Sequence, residues 1–178
     1  HLEVWQARTD SRICCWMSNQ TIFSFESHLD FVNSLRSFSD RFFWAVYKDN
    51  CFLGSVNIHV MDSGYAERGI FMNPCLVGKA MAKEIEENAY SIYRNLGISV
   101  LKAKVRKNNI RSLKYHQKTG YSIECENEEY YFLIKFTSQY AERLYEIIKS
   151  FDHKTSADFE VDDLRKRLAV PEGQYVNY

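Results

Sequence analysis

GIFMNPCLVGKAMAKE, residues 69–84, joins a strand-like segment to an amphipathic one through a proline and a glycine. The strand is predicted over residues 65–72, and Asn73-Pro74 ends it because proline lacks the N–H that a central strand donates. A long helix is predicted from Gly78 to Leu96. Its apolar stripe faces a core, and its charged residues lie outside that stripe: Lys83, Glu84, Glu86 and Glu87.

The loop between this strand and this helix is a candidate phosphate site. Exposed N–H groups of the loop and first helical turn would point at an anion before the helix, and the helix dipole favours negative charge there. Gly78 and Ala80 leave room for a phosphate, and Lys79 adds a cation. Small residues that serve packing alone are the alternative, because such a short pattern is weak by itself.

A second strand and helix follow directly. VLKAKV, residues 100–105, alternates as a strand, and a helix is predicted over residues 110–119 within NNIRSLKYHQKTGY. Asn108 and Asn109 suit the cap of that helix, although any capped helix has the same pattern.

Together with the segments on either side of these two units, the sequence pattern predicts a mixed α/β (α+β) fold, a sheet with helices on its faces. The remaining helices are predicted over residues 2–17 and 27–38. The remaining strands are predicted over 41–47 and 51–60, joined by a hairpin turn at Lys48-Asp49-Asn50, and over 121–125 and 130–136. After Phe136 the pattern predicts a helix over residues 137–150, a polar linker over 152–158 and a short helix over 161–168.

The two strand–helix units together resemble the GNAT acetyltransferases. The family pattern is Gln/Arg-x-x-Gly-x-Gly/Ala, then Asn-x-x-Ser/Ala and Gly-Phe/Tyr. Here it reads Cys75-Leu76-Val77-Gly78-Lys79-Ala80, then Asn109, Ser112 and Gly120-Tyr121, so Cys75 is the one departure. The resemblance implies a GNAT domain over residues 1–136 without the family's first strand, a helical extension over 137–178, and a mostly antiparallel sheet splayed between the fourth and fifth family strands.

The resemblance implies acetyl-CoA as the acetyl donor and no metal. Its pantetheine would lie between strands 67–72 and 100–105 like an added strand, bonded to backbone near Ile70 and Met72. A backbone N–H on the splayed strand would stabilise the oxyanion. The residues implied to hold the cofactor are Ile70, Phe71, Met72, Leu76, Val77, Gly78, Lys79, Ala80, Met81, Asn109 and Ser112.

Three residues are candidates for proton transfer. An amine is mostly ammonium at neutral pH and needs a base, for which Glu67 stands where many relatives carry a strand glutamate. An ion pair of Glu67 with Arg68 or Lys104 is the alternative. The family's tyrosine acid falls seven residues after Asn109, on His116, with Tyr115 beside it; a mechanism without a side-chain acid is the third option.

The first third of the chain resembles the family branch that acetylates the 4-amino group of a UDP-linked amino sugar in pseudaminic acid biosynthesis. The match includes Arg8, Trp16-Met17 and His28-Leu29. It implies that Arg8 faces the diphosphate while Met17 and His28 line the acceptor pocket, unless these are core or surface positions. Ser112 and Lys118 also resemble the branch that acetylates protein N-termini and aminoglycosides, which is the second candidate. His59 has no predicted role beyond its strand position.

Composition narrows the class further. Lys plus Arg equals Asp plus Glu at 23 each, so the chain has no excess positive charge to attract nucleic acid in general. Five cysteines without a Cys-x-x-Cys spacing indicate reduced thiols and a cytoplasmic protein. No apolar run has the length of a membrane span, and HLEVWQAR has no signal-peptide core. A homodimer remains open.

The tail resembles part of the first winged-helix domain of plasmid replication initiators. The matching segments are residues 140–146 and 161–165. A helix must enter the major groove to read bases, and the likeness ends before such a helix. We therefore expect no sequence-specific DNA binding; an interaction module, or a tail packed on the catalytic domain or a second subunit, are the alternatives.

Overall fold

A computed structural model describes residues 1–61, 64–79 and 81–152. The chain divides into two compact units, His1–Ser138 and Gln139–Tyr178. Of the second unit, one helix (α6, Gln139–Asp152) lies within the described residues. Ala80, the linker after Asp152 and the predicted helix over 161–168 lie outside them. In the part of the chain that is described, no helix is long and apolar enough to cross a bilayer.

The first unit is built on one mixed sheet of six strands in the order β1-β2-β3-β4-β6-β5. Neighbouring strands are antiparallel except β3 and β4, which are parallel. This arrangement confirms the predicted mixed, mostly antiparallel sheet. The strands are β1 (Arg41–Lys48), β2 (Cys51–Val60), β3 (Tyr65–Met72), β4 (Val100–Arg106), β5 (Ser122–Glu126) and β6 (Tyr130–Phe136).

Among the described residues of the first unit, five α-helices accompany the sheet: α1 (Leu2–Thr9), α2 (Ser11–Cys14), α3 (Phe25–Ser34), α4 (Met81–Asn95) and α5 (Ile110–Lys118). The single helix predicted over residues 2–17 is wrong. Asp10 interrupts it with an extended backbone (φ −59°, ψ 131°), and its side chain accepts the Arg12 N–H that opens α2. Helix α3 begins before the predicted residue 27 because the Ser24 hydroxyl caps it, accepting from the Ser27 N–H.

The long helix α4 begins at Met81, three residues later than predicted. Gly78 has φ +89°, which a right-handed helix does not allow, so it belongs to the preceding loop. A 3₁₀ turn over Pro74–Leu76 occupies the start of that loop, fixed by the Asn73 side chain, which accepts from the Cys75 N–H. The loop is therefore longer and less helical than the sequence predicts.

The core lies on one face of the central strands, under α4. Strand alternation sends apolar side chains to this face, where α4 adds its buried stripe. Its members include Val56, Ile58, Ala66, Leu101, Ala103, Val105, Ile85, Ala89 and Tyr93. The same alternation directs Asn57 and His59 of β2, Glu67 of β3 and Lys102 of β4 to the opposite face, which carries the site described next.

Candidate active site

The sheet opens along the middle, where β3 and β4 part. Their parallel pairing covers Tyr65–Glu67 of β3 and Val100–Lys102 of β4. Beyond these positions β3 stays paired with β2 as far as Met72, and β4 stays paired with β6 as far as Arg106. The described strands therefore diverge after Glu67, and the predicted splay is confirmed.

A cavity of about 800 Å³ extends from this splay to the N-terminal helices. Its walls come from the diverging strands, from one side of α5 and its N-cap, and from the segment between α1 and α3. Residues predicted for three separate roles thus line one space: Arg8, Met17, His28, Glu67, Ile70, Phe71, Asn109, Ser112 and His116. The other predicted site residues in the described chain do not line it: Met72, Leu76, Val77, Gly78, Lys79, Met81 and Tyr115.

The loop before α4 has an open backbone at Gly78. A Cβ built there would meet no atom of the described residues within 4 Å, so the φ of +89° rather than a lack of space favours glycine. Leu76 and Met81 turn their side chains to the core, and Lys79 is exposed. The Lys79 N–H is already bonded to the Leu76 carbonyl at 3.1 Å, so that donor serves the turn.

Helix α5 presents its first turn to the cavity. The Asn109 side chain accepts from the Ser112 N–H at 3.1 Å, which is the cap expected from the sequence. Both residues also line the cavity. The capping role and the predicted cofactor role therefore coincide in one place.

Arg68 is the first residue of β3 beyond the pairing with β4, and its side chain turns into the core. Its Nε donates to Glu86 Oε2 at 3.0 Å, and a second guanidinium N–H donates to the same oxygen. The two side chains are 0% and 2% exposed. Tyr121 Oη and Lys135 Nζ donate to the other carboxylate oxygen, each at 3.3 Å. Burial alone would raise the pKa of Glu86, but the charge and hydrogen bonds of Arg68, helped by Lys135, hold that pKa below its ordinary value.

His116 belongs to the same buried cluster. Its Nδ1 lies 2.8 Å from the Ser112 carbonyl, which can only accept, so Nδ1 carries the proton. Its Nε2 accepts from Arg68 Nη1 at 3.0 Å. Burial, followed by the Arg68 charge, lowers the pKa of His116 to about 4. The imidazole is therefore neutral near pH 7, with both ring nitrogens engaged.

Tyr115 is held in a similar way. Its hydroxyl accepts from Arg68 Nη2 at 2.9 Å and donates to the Ala82 carbonyl at 3.2 Å. Burial raises the pKa of this hydroxyl. Neither Tyr115 nor His116 directs a free proton into the cavity, so these contacts favour the alternative in which no side-chain acid is used.

Acid is expected to destabilise the protein through His116. Because its pKa lies below the ordinary 6.5, the unfolded chain binds more protons between pH 6.5 and about 4, and stability falls as the pH drops through this window. From 1.36 kcal/mol per unit, we expect a loss of about 2 kcal/mol between about pH 6.5 and about pH 5. Urea unfolding at several pH values measures this loss of unfolding free energy. His116→Gln should flatten this slope, and equal wild-type stability at both ends would contradict the expectation.

Glu67 occupies the last paired position of β3 and faces the cavity. Neither expected ion pair forms: Arg68 is bound to Glu86, and the Lys104 ammonium lies 4.0 Å from the centre of the Tyr130 ring. Among the described residues no cation lies within 4.0 Å of the Glu67 carboxylate. His59 of β2 is paired directly with Glu67 and also lines the cavity. His59 had no role predicted from the sequence beyond its strand position. Strand alternation was the signal, because it puts both residues on the polar face.

Three residues that line the cavity carry a buried polar atom with no hydrogen-bond partner in the described chain. Arg106 Nε comes from β4, and the other two, Arg8 Nη1 and His28 Nε2, come from α1 and α3. Arg8 is anchored by Nη2, which donates to the Asn19 carbonyl at 2.7 Å. The His28 ring is 6% exposed, stacks near Phe23 and Phe25, and has its pKa lowered by burial. A buried polar group left unpaired costs about 1–3 kcal/mol, so the Arg8 and His28 atoms suit a bound ligand.

Comparison with known proteins agrees with this geometry. Residues 3–122 match the sequence family described as the acetyltransferase (GNAT) domain. The chain belongs to the GNAT acetyltransferase family. As a GNAT protein it is an N-acetyltransferase that takes its acetyl group from acetyl-CoA.

Individual relatives of this GNAT chain are similar over most of their length. Acetyltransferase PseH of Campylobacter jejuni is 30% identical over 111 residues, which cover 61% of this chain and 69% of PseH. The crystal structure of C. jejuni N-acetyltransferase PseH in complex with acetyl coenzyme A superposes with a TM-score of 0.57 at 27% identity, covering 64% of this chain and 80% of that one. Spermidine N-acetyltransferase from Vibrio cholerae, at 14% identity with 77% and 89% covered and a TM-score of 0.70, shares the fold.

The residues present fit the acetyl-CoA that the family uses. The edge of β3 that faces β4 is unpaired beyond Glu67, so backbone donors and acceptors are available to an extended ligand. The open loop at Gly78 lies at the end of the same strand, ahead of α4. Which residues hold the cofactor stays a prediction; of the described candidates, Ile70, Phe71, Asn109 and Ser112 line the cavity.

Proposed function

We propose that the protein transfers the acetyl group of acetyl-CoA to the 4-amino group of a UDP-linked amino sugar. One observation carries the proposal: the cavity that reaches the open edge of β3 is also lined by Arg8 and His28 of the N-terminal helices, each with a buried polar atom that has no partner in the described chain. The resemblance of residues 8–58 to the amino-sugar branch and the similarity to PseH support the same acceptor.

The acceptor end of the cavity suits an anionic, partly aromatic ligand. Arg8 is a guanidinium, and its free Nη1 provides a charge-assisted hydrogen bond to a diphosphate oxygen. Trp16, Phe23 and Met17 add apolar surface beside it. A polyamine would meet like charge at Arg8, which disfavours a cationic acceptor.

At the other end Glu67 serves as the general base in this proposal. The acceptor ammonium gives one proton to the carboxylate, directly or through a water, and the free amine attacks the acetyl carbonyl. The new C–N bond forms as the C–S bond breaks, and the departing thiolate takes its proton from the amine or from water. A backbone N–H of the open β3 edge faces the developing oxyanion.

The acceptor assignment is tested by removing the UDP group from the substrate and the charge of Arg8 from the protein in parallel experiments. We expect thiol release from acetyl-CoA with a UDP-4-amino sugar, and Arg8→Met should raise the KM for that sugar about 10- to 100-fold, the value of a charged hydrogen bond. The same amino sugar without UDP should bind more weakly and be insensitive to Arg8→Met. The KM for acetyl-CoA should stay within about twofold.

Three results would overturn this assignment. One is equal sensitivity of the UDP-linked and the free sugar to Arg8→Met. Another is turnover with peptide N-termini or aminoglycosides alone, which would favour the second acceptor class. The third is absence of thermal stabilisation by millimolar CoA, which mass action requires of any CoA-binding protein; salt-sensitive DNA binding without it would indicate an interaction module.

Two coarser features accompany the proposal. All five cysteines are free thiols, and this favours the cytoplasm, where nucleotide sugars and acetyl-CoA are also available. We also keep the division into a catalytic domain over residues 1–136 and a helical extension over 137–178 as a proposal.

A further inference from the structure

A second titratable pair lies on the polar face of the sheet, next to Glu67. His59 Nε2 is 3.0 Å from Asp40 Oδ2. A carboxylate can only accept, so Nε2 carries the proton and Nδ1 is left with a free lone pair. Asp40 is fixed in turn, because its carbonyl accepts from the Val60 N–H at 2.7 Å.

The pair stands directly beside the proposed base. His59 of β2 and Glu67 of β3 are cross-strand partners in antiparallel register, which puts their Cβ atoms about 4.5–5.5 Å apart on one face. Both residues line the cavity. The His59 and Asp40 side chains are 37% and 43% exposed, so the pair reaches from the cavity to solvent.

The charges around this pair are accounted for. Arg41 of β1 lies across from His59 on its other side, with its guanidinium stacked on Phe38 at 4.8 Å. Lys102 of β4 lies across from Glu67 and is bound to Glu124 at 3.1 Å. Asp40 and Glu67 are therefore the carboxylates that flank His59.

We propose that His59, oriented by Asp40, is a proton acceptor of the transfer reaction and carries the proton from Glu67 to solvent. The inference rests on the proposed role of Glu67 and not on which amine is acetylated. The acceptor ammonium loses a proton to the Glu67 carboxylate. The carboxylic acid passes that proton through a bridging water to His59 Nδ1, and the imidazolium beside Asp40 releases it to bulk water, which restores both groups.

A purely structural role predicts little effect from the same residues. Half-exposed ion pairs contribute about 0–1 kcal/mol to stability, so variants of His59 and Asp40 should fold. An effect on the pH dependence of turnover would then report proton transfer. The exposed pair Lys107–Glu126, on the far side of β4 along the sheet and outside the cavity lining, is a matched control.

The test compares His59→Gln, Asp40→Asn and the control Glu126→Gln, using acetyl-CoA and the amine that the wild type turns over fastest. We expect His59→Gln to lower kcat/KM about 10- to 100-fold at neutral pH while the KM for acetyl-CoA changes less than about twofold. Asp40→Asn should lower kcat/KM in the same direction but by less, because the imidazole keeps its position in the cavity and loses only its carboxylate partner. Glu126→Gln should change neither quantity.

A double variant separates a relay from independent bases. If the two groups act in series, Glu67→Gln/His59→Gln should be no slower than Glu67→Gln alone, within about twofold. Losses that multiply would overturn the relay, as would His59→Gln with wild-type kcat/KM and an unmoved acid limb of the pH profile. Full activity of Glu67→Gln would instead contradict the proposed base, so the two failures are distinguishable.

Discussion

Replacing Arg68 with methionine is expected to lower the unfolding free energy by about 3–5 kcal/mol, the largest effect on stability that we predict. The substitution keeps much of the volume but leaves the Glu86 carboxylate buried with Tyr121 and Lys135 alone. It also takes the donors away from His116 Nε2 and the Tyr115 hydroxyl. Urea unfolding at neutral pH, followed by fluorescence or circular dichroism, measures the loss.

Two further variants check the reason for this loss. Lys107→Met removes an exposed partner of Glu126 and should cost less than about 1 kcal/mol. In Arg68→Met/Glu86→Leu the uncompensated charge is gone, so the double variant should be more stable than Arg68→Met. A loss below about 1 kcal/mol for Arg68→Met, or no recovery in the double variant, would contradict a buried charge cluster.

Replacing Glu67 with glutamine is expected to have the largest effect on turnover, a fall in kcat of about 100- to 1,000-fold near pH 7. Glutamine keeps the size and polarity of the side chain but cannot take the ammonium proton. Because no ion pair of Glu67 is lost within the described residues, stability should change by less than about 0.5 kcal/mol. Thiol release over a pH range, with unfolding of the same samples, measures both quantities.

The pH dependence of turnover tests whether Glu67 acts as a base. If deprotonation is what Glu67 supplies, raising the pH should recover activity of Glu67→Gln, since more of the acceptor is then already a free amine. Glu126→Gln, an exposed carboxylate change on β5, should behave like the wild type. A Glu67→Gln protein with undiminished kcat would show that Glu67 does not take the ammonium proton.

The periodic parts of the chain were predictable from sequence. Alternation located all six strands, and the two strand–helix units around Gly78 and Ser112 predicted the family and the splay. Positions set by single backbone torsions were less accessible. Asp10 interrupts a helical pattern, and Gly78 delays α4, because local capping and a positive φ override periodicity there.

The buried charges were missed for a different reason. Glu86 was expected outside the apolar stripe of α4, yet it is 2% exposed. It is adjacent to Ile85 on the helix, so a stripe wider than its apolar residues includes it. What makes its burial tolerable is Arg68, 18 residues earlier, and a one-dimensional pattern contains no sign of that partner. The Asp40–His59 pair depends in the same way on β1 and β2 folding back.

Three residue pairs join β3 to β4, and this short pairing connects the two halves of the sheet. Strands β1–β3 form one ribbon and strands β4, β6 and β5 another, and backbone bonding between the ribbons ends after Glu67. If an extended ligand binds in the cleft as proposed, it would supply hydrogen bonds to both ribbons beyond Glu67 and so stiffen the domain. Amide protons of Ile70 to Met72 that face the cleft should therefore exchange fast in the free protein and slowly in the bound one. Hydrogen exchange at these residues would then measure whether a ligand occupies the cleft.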